Sequence, residues 1–309
     1  MGALADHIKL LRPKDWAKNL FLFIPSFFAE TIFVLNNLWW LTLGFFAFSF
    51  MASCIYILND YRDIEDDKKH PVKRSRPLAS GKVKKSTGLA VAVLLFTASV
   101  ILGVFVDNTF QFLFVLGIYF LLNVSYSLGL KNIAILDILI LAAGFVLRVK
   151  GGAVISKVET AGVIAKIDTS EWLIIMTYLL ALFLSIAKRR DDMLLKMETG
   201  TDMRKSIAGY NLDFLNTMLA LFSSIIIVSY IMYTVSGQTY TRLKTHRLYY
   251  TSVFVIAGIL RYLQITFVLK KSGSPTDILY KDRFIQCTLI LWVISFFFIL
   301  YMRGKTIFS

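Results

Sequence analysis

The sequence predicts an all-α, polytopic membrane protein, and three observations carry that reading. Of 309 residues, 57% are hydrophobic and only 17% charged, where a soluble domain has nearer a quarter charged. Mean hydropathy is +0.65. Apolar stretches long enough to cross about 30 Å of hydrocarbon, at 1.5 Å of helix per residue, recur along the whole chain.

In chain order the stretches lie near 18–35, 38–58, 88–106, 110–129, 132–150, 171–187, 214–236, 248–269 and 284–302, about nine transmembrane helices. The first exceeds the length of a signal-peptide core and is followed at once by another, so it reads as a span and not as a cleavable leader. No length remains for a separate soluble domain, and 1–309 reads as a single transmembrane domain. The outer segment 151–170, with Gly151, Gly152 and Gly162, reads as irregular or interfacial.

A net charge of +14 would suit a nucleic-acid binder, but the placement of the bases argues against one. Of the 34 Lys and Arg, 24 fall before the first span or in alternate loops, in 59–87, at Lys131, in 188–213 and in 270–283. That alternation puts the amino terminus and those loops in the cytoplasm and the carboxyl terminus outside. The two largest cytoplasmic loops each follow an even-numbered span, a faint sign of an internal duplication. Cys54 and Cys287 read as small buried hydrophobes, and His7, His70 and His246 are too scattered for a zinc site.

Chemistry concentrates at 59–67. If the second span continues as a helix, Asn59, Asp60, Asp63 and Asp67 fall on one stripe, because steps of three, four and seven return to the same face. Crowded carboxylates need a positive partner, and hard oxygen ligands that leave room for substrate phosphates are the usual way to hold Mg²⁺. The plainer account is surface pairing with Arg62 or Lys68, worth a few tenths of a kcal/mol each. Lys73, Arg74 and Arg76 follow between Pro71 and Pro77 and would suit a metal-bridged phosphate, or simply attract anionic lipid. Lys188 and Asp192 share a helical face and could form an ordinary ion pair. Asp137, Arg148 and Arg261 are ionisable groups in apolar spans, which are costly unless partnered and therefore functional or pairing candidates.

These residues resemble the UbiA superfamily of intramembrane prenyltransferases. Asn59, Asp60, Asp63 and Asp67 match its Asn-Asp-x-x-Asp-x-x-x-Asp metal motif without a gap, and Arg76-Pro77-Leu78-Ala79-Ser80-Gly81 looks like the run that follows it. The resemblance implies nine helices around a central cavity and Mg²⁺ as cofactor. Within the superfamily the chain is similar to the phosphoribose-transferring branch, through Arg12-Pro13-x-x-Trp16-x-Lys18-Asn19, His70-Pro71-x-Lys73 and Lys188-Arg189-x-x-Asp192, with Asp192 where the branch has Glu. The likeness also takes in Tyr126 to Lys131 and Asp137 to Arg148.

The branch implies transfer of 5-phosphoribose from phosphoribosyl diphosphate to a polyprenyl phosphate at the membrane. Asp60, Asp63 and Asp67 would be catalytic through the metal, with Asn59 orienting the motif. Lys73, Arg74 and Arg76 would hold donor phosphates. Arg12, Lys18, Lys131, Lys188 and Arg189 would hold the second anion or the ribose 5-phosphate, with Tyr126 and Asp192 on ribose hydroxyls. Two other readings stand beside it. One is an aromatic or quinone-precursor prenyltransferase, although Asp191 and Asp192 do not open the second Asp-x-x-x-Asp motif of that branch. The other is a transporter, which would spread ionisable groups near the midplane, whereas most here lie at cytoplasmic helix ends.

Overall fold

The computed structural model describes residues 2–69, 73–160, 163–166, 170–200, 204–269, 278 and 280–301. Among them, eight helices are long and apolar enough to cross a membrane, as the composition requires of a chain that must satisfy its backbone inside lipid. In chain order the α-helices are α1 (Gly2–Leu11), α2 (Ile24–Phe28), α3 (Leu35–Arg62), α4 (Ile64–Lys69), α5 (Lys85–Val106), α6 (Gln111–Leu128), α7 (Leu136–Ile155), α8 (Glu171–Thr199), α9 (Leu212–Val235), α10 (Gly237–Leu243), α11 (Ser252–Phe267) and α12 (Arg283–Tyr301). The eight are α3, α5 to α9, α11 with its preceding 3₁₀ turn, and α12.

The stretch expected as a first span over 18–35 differs. Residues Pro13–Phe23 form a 3₁₀ helix, followed by the short α2. Within this segment Asn19 and Leu22 are buried in the 3₁₀ helix and Pro25 and Ser26 in α2. With a rise of about 2.0 Å per residue, the segment is still nearly as long as an α-helical span.

The segment 151–170 also corrects expectation. Helix α7 continues to Ile155, and an antiparallel pair then joins β1 (Lys157–Thr160) to β2 (Val163–Lys166), with Lys157 opposite Lys166. Gly162 lies outside the described residues.

Contacts gather into two compact units, residues 1–131 with 143–170, and residues 132–142 with 171–309. In the first, Leu22, Leu41, Phe48, Met51, Phe112, Leu116, Tyr119 and Ile155 form one core. Here the 3₁₀ helix approaches α7 so closely that a Cβ on Gly152 would stand 2.0 Å from the Leu22 carbonyl oxygen. A second cluster joins Leu10, Cys54, Ile57, Ile64, Leu78, Val83, Ala92 and Leu95. The other unit packs α8 against α9 and α11 against α12. There the Tyr230 hydroxyl meets Thr251 Oγ1 at 2.7 Å and accepts from Trp292 Nε1 at 2.7 Å. Arg261 pairs with Asp282 at 2.8 Å, which accounts for the charge in that span.

Candidate functional site

In the first unit the opening segment lies along one face of α3. Trp16 Nε1 donates to Ser53 Oγ at 3.0 Å, and that hydroxyl donates to the Leu11 carbonyl at 2.6 Å. Asn19 Nδ2 donates to Ser49 Oγ at 3.0 Å. Ser49, Ser53 and Asp60 are four and seven apart, hence on one stripe. The chain before the 3₁₀ helix turns through Arg12 in the left-handed region, φ 52, a conformation that costs of order 1–3 kcal/mol and clusters at functional sites. That turn delivers Arg12 Nη2 to both oxygens of Asp60, at 2.6 and 2.7 Å, with the guanidinium 5.1 Å from the Tyr56 ring centroid.

Arg76 arrives from the other side. The turn behind it buries Pro77, Leu78 and Ala79, and Gly81 closes it with φ 74, which only glycine adopts freely. With Leu78 seated in its cluster, Arg76 Nη1 donates to Asp60 at 3.0 Å and to Asp67 at 2.7 Å. Asp60 and Asp67 are nearly inaccessible, their side chains 3% and 4% exposed.

The four motif residues do not converge on one point. Helix α3 ends at Arg62 and Asp63 sits in the bend before α4, at φ −90 and ψ 12, so its carboxylate leaves the stripe. It takes Lys131 Nζ at 2.8 Å, and Asn59 Oδ1 lies 3.5 Å from the same nitrogen. The site is thus two pairs, Asp60 with Asp67 on Arg76, and Asn59 with Asp63 on Lys131. Arg62 fixes the neighbouring helix end by donating to the Ser127 and Leu128 carbonyls, a cation where the α6 dipole favours one.

Among the described residues no three His, Cys, Asp or Glu side chains converge as a metal cage. The donor chemistry nonetheless fits Mg²⁺, which takes one or two carboxylates and completes its shell with water and substrate phosphates. Asp60 and Asp67 already gather around one positive group.

The remaining expected residues divide. Lys18 pairs with Asp15 at 2.6 Å and is 40% exposed. Lys73 is half-buried in a 3₁₀ turn and Arg74 is exposed; His70, Pro71 and Val72 lie outside the described residues. Tyr126 is half-buried near the end of α6.

In the second unit Lys188 is half-buried on α8, while Arg189, expected to hold a substrate anion, is wholly buried with Nε on Asp137 at 2.5 Å and Nη1 on Asp192 at 3.3 Å. Asp192 also faces Arg204 at 3.6 Å. Asp137 further accepts from Ser206 at 2.9 Å and Tyr210 at 2.6 Å. Burial, then the proton held toward Asp137, keep the Tyr210 phenol well above its usual pKa. Asp137 is therefore partnered on both oxygens, the outcome that membrane burial demands.

A group the motifs did not single out as a unit is the buried line from Arg148. Its Nε donates to Asn19 Oδ1, Nη1 to the Gly144 carbonyl and Nη2 to the Tyr119 hydroxyl, each at 2.8 Å. Asn19 in turn grips α3, so a guanidinium in α7 holds the segment that carries Arg12. The signal was an Arg in an apolar span.

Residues 20–196 match the model of the UbiA prenyltransferase family. A decaprenyl-phosphate phosphoribosyltransferase of Corynebacterium glutamicum is 30% identical over 293 residues, covering 94% of this chain and 85% of that one. The enzyme of the same name from Mycolicibacterium smegmatis is 30% identical over 296 residues, covering 93% and 89%. A UbiA homolog from Archaeoglobus fulgidus, solved bound to GPP and Mg²⁺, has the same fold, with a TM-score of 0.66 at 17% identity over 96% of this chain and 99% of that one.

Proposed function

The chain belongs to the UbiA prenyltransferase family and is a multi-pass membrane transferase, and from that premise we propose that it moves 5-phosphoribose from phosphoribosyl diphosphate to a polyprenyl phosphate, releasing diphosphate. The observation that carries this reading is the charge at the motif: three carboxylates are matched by Arg12, Arg76 and Lys131. Once a metal takes over the carboxylates, these cations are released to phosphate oxygens, which suits two phosphate-bearing substrates better than a neutral aromatic acceptor. Similarity over most of the chain to enzymes named for phosphoribosyl transfer supports the same choice.

Magnesium held by Asp60 and Asp67 would neutralise the departing diphosphate. Arg76, which now bridges both carboxylates, would turn to a diphosphate oxygen once they are otherwise neutralised, joined by Lys73 and Arg74 from the same loop. Lys131, placed by Asn59 and Asp63, and Arg12 would hold the second anion. The acceptor phosphate has a second pKa near about 6, so its oxygen attacks the anomeric carbon as the bond to diphosphate breaks, and no protein base is needed. Positioning and charge stabilisation supply the catalysis. The excess of bases in alternate loops favours a cytoplasmic position for these groups and the amino terminus.

Purified protein offered phosphoribosyl diphosphate with a polyprenyl phosphate, or an isoprenoid diphosphate with an aromatic acceptor, tests the choice. Consumption of the first donor alone, dependent on Mg²⁺, is the expected result; consumption of the second alone would make this an aromatic prenyltransferase.

A further inference from the structure

At the end of the first unit remote from the Asp cluster, α6 and α7 flank an open groove of about 550 Å³. Arg62 holds the α6 carboxyl end beside the cluster, and the groove begins at the α6 amino end, 17 residues or roughly 25 Å away. Its first wall runs through Phe110, Phe114 and Ile118 at the start of α6, with Thr109 and Gln111 at the rim, and its second, on α7, through Val146, Lys150 and Val154. Phe114 is 70% exposed. Both walls repeat at four residues, so each is one helical stripe, and Lys150 sits at the centre of an apolar one.

That position is unusual. A lysine in a span faces a polar partner or water, because its charge is costly in hydrocarbon. Lys150 is exposed, and no carboxylate lines the groove among the described residues. Asp107, the nearest acid in sequence to the α6 end, is committed to the Thr109 hydroxyl at 2.7 Å and the Phe112 amide at 3.0 Å. Lys150 stands five residues before the end of α7, about 8 Å of rise, a depth from which its ammonium reaches the headgroup layer. The plain alternative is a lysine that snorkels into the interface and selects nothing. Against it stands the apolar groove directly beside the charge, open along its side and about 12 Å long from Phe110 to Ile118, enough for the upper part of an acyl chain.

We propose that this groove binds an anionic phospholipid of the leaflet opposite the transfer site, its phosphate on Lys150 and an acyl chain along Phe110, Phe114, Ile118, Val146 and Val154. The site is separate from the Asp cluster and does not depend on which donor the enzyme uses.

Native mass spectrometry of the delipidated full chain, titrated with dioleoyl phosphatidylglycerol or dioleoyl phosphatidylcholine, tests it. One phosphatidylglycerol should bind the wild type about fivefold or more tightly than Lys150→Met or Lys150→Gln, the selectivity one lysine confers at a headgroup. Phosphatidylcholine should not distinguish them. Ile118→Trp, which fills the groove while leaving the charge, should also expel the lipid, with thermal melting confirming that the variant is folded. Equal phosphatidylglycerol binding by wild type and both Lys150 variants would overturn the proposal. So would undiminished binding by folded Ile118→Trp, or competition by glycerol 3-phosphate, which has the charge but no chain. Selective binding of polyprenyl phosphate in place of phosphatidylglycerol would also overturn it.

Discussion

Asp60 carries more of the site than any other single residue, because both Arg12 and Arg76 close on it. Replacing it by Asn keeps the shape but leaves two guanidiniums facing a neutral amide. Asp60→Asn should cost about 2–3 kcal/mol of stability, somewhat less than a fully buried pair since both arginines touch solvent. Activity should fall by about 10²–10³, the usual loss when a preorganised charge contact is removed. Thermal melting and turnover on the same preparation separate the two effects. Asp282 makes a prediction about pH. The hydrogen bond from Arg261 is the main cause that holds its carboxyl below the ordinary value, so the unfolded chain binds its proton more readily than the folded one. Its stabilisation is present above the unfolded pKa and is lost as pH falls through the folded one. Melting temperatures of wild type and Asp282→Asn should therefore differ at neutral pH and converge in acid; a constant gap would count against the pair.

Among elements, the 3₁₀ helix is the one on which the site leans. It is clamped at Asn19 by Arg148 and Ser49, and at Leu22 by contact with Gly152. A methyl on Gly152 must push against backbone, so Gly152→Ala should destabilise by about 1–3 kcal/mol. Arg148→Met strands the Asn19 and Tyr119 oxygens and should cost about 1–3 kcal/mol. It should also speed amide exchange within Pro13–Phe23 and weaken turnover, although Arg148 touches no expected substrate group. Unchanged exchange in that segment would mean that the clamp does not position Arg12.

The sequence made much of this scale legible. Eight of the nine expected spans are helices, seven of them within about five residues of their expected bounds and α8 running on from 187 to Thr199, since uninterrupted apolar length leaves few alternatives in lipid. The Asp stripe was legible as far as Asp60 and Asp67. Asp63 was not, because periodicity assumes a continuous helix and the bend at 63 turns its side chain to Lys131. The opening segment was misread because apolar length cannot tell three residues per turn from 3.6. The partner of Arg189 was not legible for another reason: a basic residue at a helix end does not reveal a buried Asp137 whose partners are 52 or more residues distant.

For the whole molecule, the proposed reaction is that of a membrane-embedded transferase whose motif carboxylates would hold a cation between two anionic substrates. Chelation of divalent ions should abolish turnover without unfolding the protein, since Arg12, Arg76 and Lys131 already neutralise the carboxylates. The measurement that tests the central claim most directly uses one donor with two labels, ¹⁴C in the ribose and ³²P in the terminal phosphate of the diphosphate, incubated with Mg²⁺ and a polyprenyl phosphate. Phosphoribosyl transfer carries ¹⁴C into the lipid phase while ³²P stays in water, and folded Asp60→Asn should move neither. Transfer of both labels, or of ³²P alone, would contradict it.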